Sequence, residues 1–353
     1  MEIAFALFGA LLSCNAKAEF WKSECVGRMQ IRLPGEADVA GYSMRRLSNE
    51  IEVRVGQQQF EFSDGQEAGW SSLAYTGIVY VSNSITVTEY EALDRKVKER
   101  LEINRLAATE NRRPNGEALI FENVEVASRR GLAWHVSEFY TTFLQIQDHA
   151  FFWDVGGGAE KEKRNSRIAD TILNGISYRR ANEVPTGPGV CMPYIFIRDD
   201  GTNHRRVAMT FRLKEHPDVT VVVDDSNSAA SSAGNHNYGG GLGRQIDDFW
   251  IQFEQSGSVT RVESAWKSPS KRPLKFGETS GMDSFVKITR PGGVIDFGYL
   301  ALAQMQRGQD EQRLQLHIIS EASHAKKRGI APVSESSFLG MAKQIAASIQ
   351  HRP

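Results

Sequence analysis

Apolar residues recur at every second position through much of this chain. Met29, Ile31 and Leu33 point one way while Gln30 and Arg32 point the other. The alternation returns at Ile51, Val53 and Val55, at Val207, Met209, Phe211 and Leu213, at Val219, Val221 and Val223, and at Leu314, Leu316 and Ile318. A period of two predicts strands with one apolar and one wet face, the habit of antiparallel sheets. Helical spacing is rarer. Tyr90, Leu93, Val97 and Leu101 form a stripe behind Thr88-x-x-Glu91, which reads as a capping box. Ile168, Ile172 and Ile176 form a second stripe; Phe338, Met341, Ile345 and Ile349 form a third, with Ser334 or Ser336 as its cap. The expectation is an α+β fold in which mainly antiparallel sheets carry helices on one face.

Two of these patterns form a repeat. Cys25-Val26-Gly27-Arg28 opens the strand that reaches Ile31, and Cys191 opens a second strand pattern, Tyr194 to Ile197, with isoleucine again six residues after the cysteine. Each half closes on Ile-x-x-x-Ile-x-x-Arg, at Ile172, Ile176 and Arg179 and at Ile345, Ile349 and Arg352. Two similar domains follow, of roughly 160 to 170 residues each, a better fit to 353 residues than one core. Their boundary is Glu183-Val184-Pro185-Thr186-Gly187-Pro188-Gly189, a stiff connector that cannot continue a helix. The N-terminal domain is expected over 19–183 and the C-terminal domain over 184–353. A long stretch rich in Ser, Ala, Asn and Gly, Asp224 to Arg244, falls inside the second half and reads as a loop.

Ahead of the repeat, Ile3 to Leu12 is an apolar run of roughly ten residues, too short to span a bilayer and suited to a signal-peptide core. It lacks the basic residues that usually precede such a core. Two processing sites compete after it. Leu11-Leu12-Ser13-Cys14 resembles a lipobox that would lipidate Cys14, and Ala16-Lys17-Ala18 would release Glu19 as the first residue. Export to an oxidising compartment leaves Cys25 and Cys191 as an even pair, expected to be bonded. Lys and Arg total 42 against 43 Asp and Glu, a net charge of −1, which argues against a general nucleic-acid binder.

Catalytic patterns are weak. Gly277-Glu278-Thr279-Ser280-Gly281 places its serine one position too late for a nucleophile elbow. Neither a His-Glu-x-x-His zinc motif nor a phosphate-loop Gly-Lys-Ser/Thr occurs, and Gly239 to Gly243 reads as a loop tip. His135, His149, His204 and His236 have no ligand spacing. No catalytic residue, metal ligand or cofactor site is therefore assigned. Within the long loop, Asp224, Asp225, His236, Asn237 and Tyr238 are the candidate contacts to a partner.

Cys-Val-Gly-Arg, its alternating strand and the Leu33-Pro34-Gly35 turn resemble the type VI secretion lipase-immunity family. The connector running into Cys191, the Ile195-Phe196-Ile197 strand, the paired closing segments and the stretch Gly277 to Arg290 extend the resemblance from about Glu24 to Arg352. The long Asp224 to Arg244 loop and Met192-Pro193 depart from the family pattern. The resemblance implies a periplasmic protein without catalysis of its own. Such a protein binds a phospholipase effector and blocks its active-site entrance or its lid, touching membrane only through a lipid anchor. Its rivals are an exported hydrolase with an unrecognised site and an envelope scaffold or binding lipoprotein. Intact-mass analysis of envelope fractions is expected to find a mature chain beginning at Cys14 or Glu19; full-length protein in the cytosol would refute export.

Overall fold

A computed structural model describes residues 20–53, 59–112, 116–126, 130–156, 161–227, 241–256, 259–264, 271–307 and 310–352. The first half runs β1 (Trp21–Val26), β2 (Met29–Pro34), β3 (Ala37–Val39), α1 (Met44–Val53), β4 (Phe60–Glu61), β5 (Glu67–Ala68), β6 (Ser72–Tyr75), β7 (Ile78–Val81), α2 (Val87–Glu110), β8 (Phe121–Val124), β9 (Gly131–Val136), β10 (Phe139–Ile146), β11 (His149–Val155), α3 (Glu162–Gly175) and β12 (Ile176–Tyr178). The second runs β13 (Gly189–Met192), β14 (Ile195–Arg198), β15 (Arg205–Leu213), β16 (Val219–Asn227), α4 (Leu242–Gln255), β17 (Arg261–Ser264), β18 (Lys271–Phe276), β19 (Thr279–Thr289), β20 (Ile295–Arg307), β21 (Asp310–Ser320), α5 (Ala322–Lys327), α6 (Glu335–Ser348) and β22 (Gln350–His351).

One 14-stranded sheet crosses both halves. Outward from its middle, the first half contributes β6, β7, β11, β10, β9 and β8. The second contributes β15, β16, β21, β20 and β19, then β17 and β18, so the two runs share one order. They meet where β6 pairs with β15, Tyr75 opposite Arg205 and Ser72 opposite Ala208. Farther along β15, β3 of the first half takes over the same edge. The connector at 183–189 thus separates two sequence repeats but not two sheets. All of these pairings are antiparallel, as the alternation predicts.

Helices cover both faces of the sheet. On β19, Ser284 accepts a hydrogen bond from Trp250 of α4 at 2.8 Å, while its neighbour Phe285 meets Phe338 of α6. Adjacent strand residues point opposite ways, so α4 and α6 lie on opposite sides. Likewise Tyr90 of α2 stacks on Phe143 at 5.4 Å. Three local expectations change. Ile51 belongs to α1, where it and Leu47 are buried one turn apart; the packing of α1 overrides the apparent strand period. The capping box of α2 is Thr86 with Glu89, because Thr86 holds the extended backbone that a cap requires, while Thr88 and Glu91 already lie inside the helix. The second isoleucine of each closing motif ends its helix: Ile176 begins β12 and Ile349 leads into β22. Ser334 caps α6, accepting from Ser337 N–H at 3.3 Å.

Each cysteine-headed hairpin takes its third strand from the other half. β22 joins the β1–β2 hairpin, and β12 joins the β13–β14 hairpin. The hairpins meet through paired backbone bonds between Gly27 and Cys191, both 2.8 Å, and through the Cys25–Cys191 disulfide, with Cα atoms 5.8 Å apart. Gly27 is required there: its φ is +56°, and a Cβ would overlap the Asp225 carboxylate. The two motif arginines lock the exchange. Arg179 N–H donates to Tyr194 O at 3.0 Å, and Arg352 N–H to Arg28 O at 2.9 Å. The Arg179 guanidinium bonds Met192 O, Cys25 O and the Glu24 carboxylate; that of Arg352 bonds Gly189 O and Pro185 O. Burial and the nearby Arg179 and Arg28 charges pull Arg352 down to about 10.

The disulfide closes 166 positions of chain. A crosslink of that span stabilises by about 4 to 5 kcal/mol on the chain-entropy model. Replacing both cysteines with serine is expected to lower the urea midpoint, and dithiothreitol should do the same to the native chain but not to the variant.

Candidate functional site

Asp224 and Asp225 lie in β16 rather than in a loop, since that strand runs to Asn227, and α4, which begins at Leu242, takes in Arg244; residues 228–240 lie outside the described residues. His236, Asn237 and Tyr238 fall outside the described residues, as do Cys14 and both processing sites. Strand alternation separates the two aspartates. Asp225 follows Val219, Val221 and Val223 into the core and is fully buried, which removes it as a surface contact. Asp224 points to the other face, where Arg206 Nε donates to it at 3.2 Å.

Asp225 sits instead at the junction of the halves. It accepts from Arg28 N–H at 2.8 Å, Arg205 Nε at 3.0 Å and Gln312 Nε2 at 2.7 Å. Burial pushes its carboxyl up, but the Arg205 guanidinium and these hydrogen bonds win and hold it below the usual carboxylate range. Beside it, the Arg28 guanidinium pairs with Asp199, which also accepts from Tyr75 OH at 2.9 Å; Asn203 in turn donates to that hydroxyl at 2.8 Å. The network draws on the β1–β2 turn, β6, β15, β16 and β21. It ties the junction together and offers no free nucleophile or base.

On the α2 and α4 face, a strip of side chains crosses the junction. Trp70, 44% exposed, packs against Phe249 and Phe253 of α4 and edge-on against His317 at 4.9 Å. His317 lies 3.4 Å from Gln315, which accepts from Arg313 at 3.0 Å and stands opposite Asp224 in the ladder. Arg206, bonded to Asp224, stands opposite Ala74, which stands opposite Ile78, 42% exposed. Trp70 and Ile78 come from the first half, Arg206, Asp224 and Gln315 from the second. Half-exposed aromatic and Arg side chains on a rigid sheet are the usual anchors of a protein–protein contact. Asp224 is the one expected contact that this strip includes. Trp70 and Arg206 had no sequence signal beyond their type, because only strand pairing brings them together.

Burial pulls His317 down to about 3 from its ordinary 6.5, and burial also lowers His149. Each imidazole takes up a proton less readily in the folded chain than in the unfolded one, which binds it below about pH 6.5, so stability falls as pH drops through that point. Urea midpoints are expected to decrease from pH 7 to pH 5, with a shallower decrease in His317→Phe.

Residues 183–236, the connector, second hairpin and following strands, match the family model of the Tle cognate immunity protein 4 C-terminal domain. No curated protein matches the chain. Among solved structures, the apo immunity protein TplEi of the type VI secretion system of Pseudomonas aeruginosa aligns over 94% of this chain and 97% of its own, at 18% identity and a TM-score of 0.54. TplEi complexed with an "L" peptide aligns at 17% identity, covering 94% and 98%, with the same TM-score of 0.54. The Tle4–Tli4 complex aligns at 18% identity, again covering 94% and 98%, with a TM-score of 0.54. The connector and the second cysteine-headed hairpin, one part of the resemblance in sequence, thus fall in the segment that matches the family model, and over 94% of its length the chain shares the fold of these type VI secretion immunity proteins.

Proposed function

We propose that this protein is a periplasmic immunity protein that binds a type VI secretion phospholipase effector and holds it inactive, without catalysis of its own. The observation that carries this reading is the strip from Trp70 to Arg206, Asp224 and Ile78, built from both halves on one hydrogen-bonded sheet. Family likeness over 183–236 and the shared fold support the same reading. Because the strip is assembled before any partner arrives, association needs little ordering of the binder, which favours tight capture. A sheet that contacts the effector with both halves covers its active-site entrance or its lid by bulk. Chemistry at the effector's nucleophile is not required.

Co-expression with the candidate phospholipase, both directed to the periplasm, tests the proposal. Growth is expected to be restored by this chain, and a complex of the two should elute together with lipase activity suppressed in proportion to the inhibitor added. Equal toxicity with and without this chain, and no complex, would overturn it.

A further inference from the structure

Around the rim from the strip, a cleft of about 1050 Å³ opens between α3 and the segment 198–204, from the last residue of β14 to the start of β15. One wall comes from each half, and Thr76, in the β6–β7 turn, lies at its end. Arg164 and Arg167 of α3, with Arg198 and His204 opposite, line it. Arg167 and Arg198 are exposed and no carboxylate pairs with either among the described residues. Arg164 donates through Nη2 to Asn165 at 3.3 Å, but its Nε is buried without a partner, as is Nδ1 of His204.

The carboxylates of the cleft do not balance these cations. Asp199 is taken by Arg28 and Tyr75. Asp200 is taken by its own turn, accepting from Thr202 N–H at 3.0 Å and Thr202 Oγ1 at 2.8 Å. Only Asp170 remains. We propose that this cleft receives an acidic segment of the effector, whose carboxylates pair with the Arg167 and Arg198 guanidiniums; the assignment rests on the immunity reading.

Three observations select that occupant. The uncompensated groups are guanidiniums, whose flat fork of donors matches carboxylates. The cleft is open and built from both halves, which suits a length of chain more than an enclosed small molecule. It also meets the strip near the β6–β7 turn, where Thr76 N–H donates to His204 O at 2.7 Å and Ile78 begins the strip. An effector lying over the strip therefore reaches the cleft by wrapping around the strand ends.

The test is the affinity of purified native protein and of Arg167→Glu/Arg198→Glu for the phospholipase, measured across a range of salt concentrations. Both arginines are exposed, and matching thermal melts of the two proteins would show that the fold is kept. Rim charges act on association and on its salt dependence. The double variant is expected to bind at least tenfold more weakly and with a flatter salt dependence, and a ten-residue Asp/Glu peptide should compete only against the native protein. Equal affinity and equal salt dependence would overturn the cleft assignment while leaving the immunity reading intact. Failure of the native protein to bind the phospholipase would overturn the immunity reading, and this assignment with it. Binding to phosphatidylglycerol vesicles that the double variant loses would give the cleft to a lipid headgroup and overturn the acidic-segment proposal.

Discussion

The pairing of β6 with β15 is the interaction on which the rest depends. Without it, each half would end in an exposed strand edge, a template for pairing with any other chain. With it, two half-sheets of like order become one surface, and the side chains of β6, β7, β15 and β16 stand in fixed register. The strip that crosses the junction exists only because of this register. A slip of one residue would turn Arg206 and Asp224 into the core and Val207 and Asp225 out to solvent.

Charge at the junction makes that register specific. Asp225 and Asp199 are buried carboxylates, and each has its guanidinium together with further donors. Buried pairs of this kind add little net stability, yet removing one partner costs about 3 to 5 kcal/mol because the other charge is stranded. Misregistered pairings of the central strands would strand several charges at once. The disulfide, the Gly27–Cys191 bonds and the two buried arginines then fix the hairpins against the same junction.

What the sequence revealed tracks the distance over which each signal acts. Alternation from Val219 to Val223 identifies β16, and its extension to Asp225 would have placed that residue inside and Asp224 outside. The cysteine pair and the two Ile-x-x-x-Ile-x-x-Arg motifs are visible as a repeat. Their exchange between halves is not, since β12 and β22 are three and two residues long and gain their identity from a distant partner. Ile51 and Val53 mislead for the converse reason: a short period-two run also fits a helix, here α1, once α2 offers a surface, while Val55 lies outside the described residues. Trp70 meets His317 across the sheet, and nothing local links them.

The exchanged third strands also set an order of events during synthesis. The β1–β2 hairpin is among the first parts made, yet Arg32 N–H bonds Ser348 Oγ across 316 positions, and β22 follows immediately after. A ribosome delivering the chain from its N-terminus therefore presents the first half long before its hairpin can be completed. Multidomain chains usually fold one unit at a time as they emerge; this one must keep its opening hairpin unsatisfied until the second closing helix arrives. Contacts of such long range are slow to form. In the interval, the apolar face of Met29, Ile31 and Leu33 is a natural client surface for chaperones.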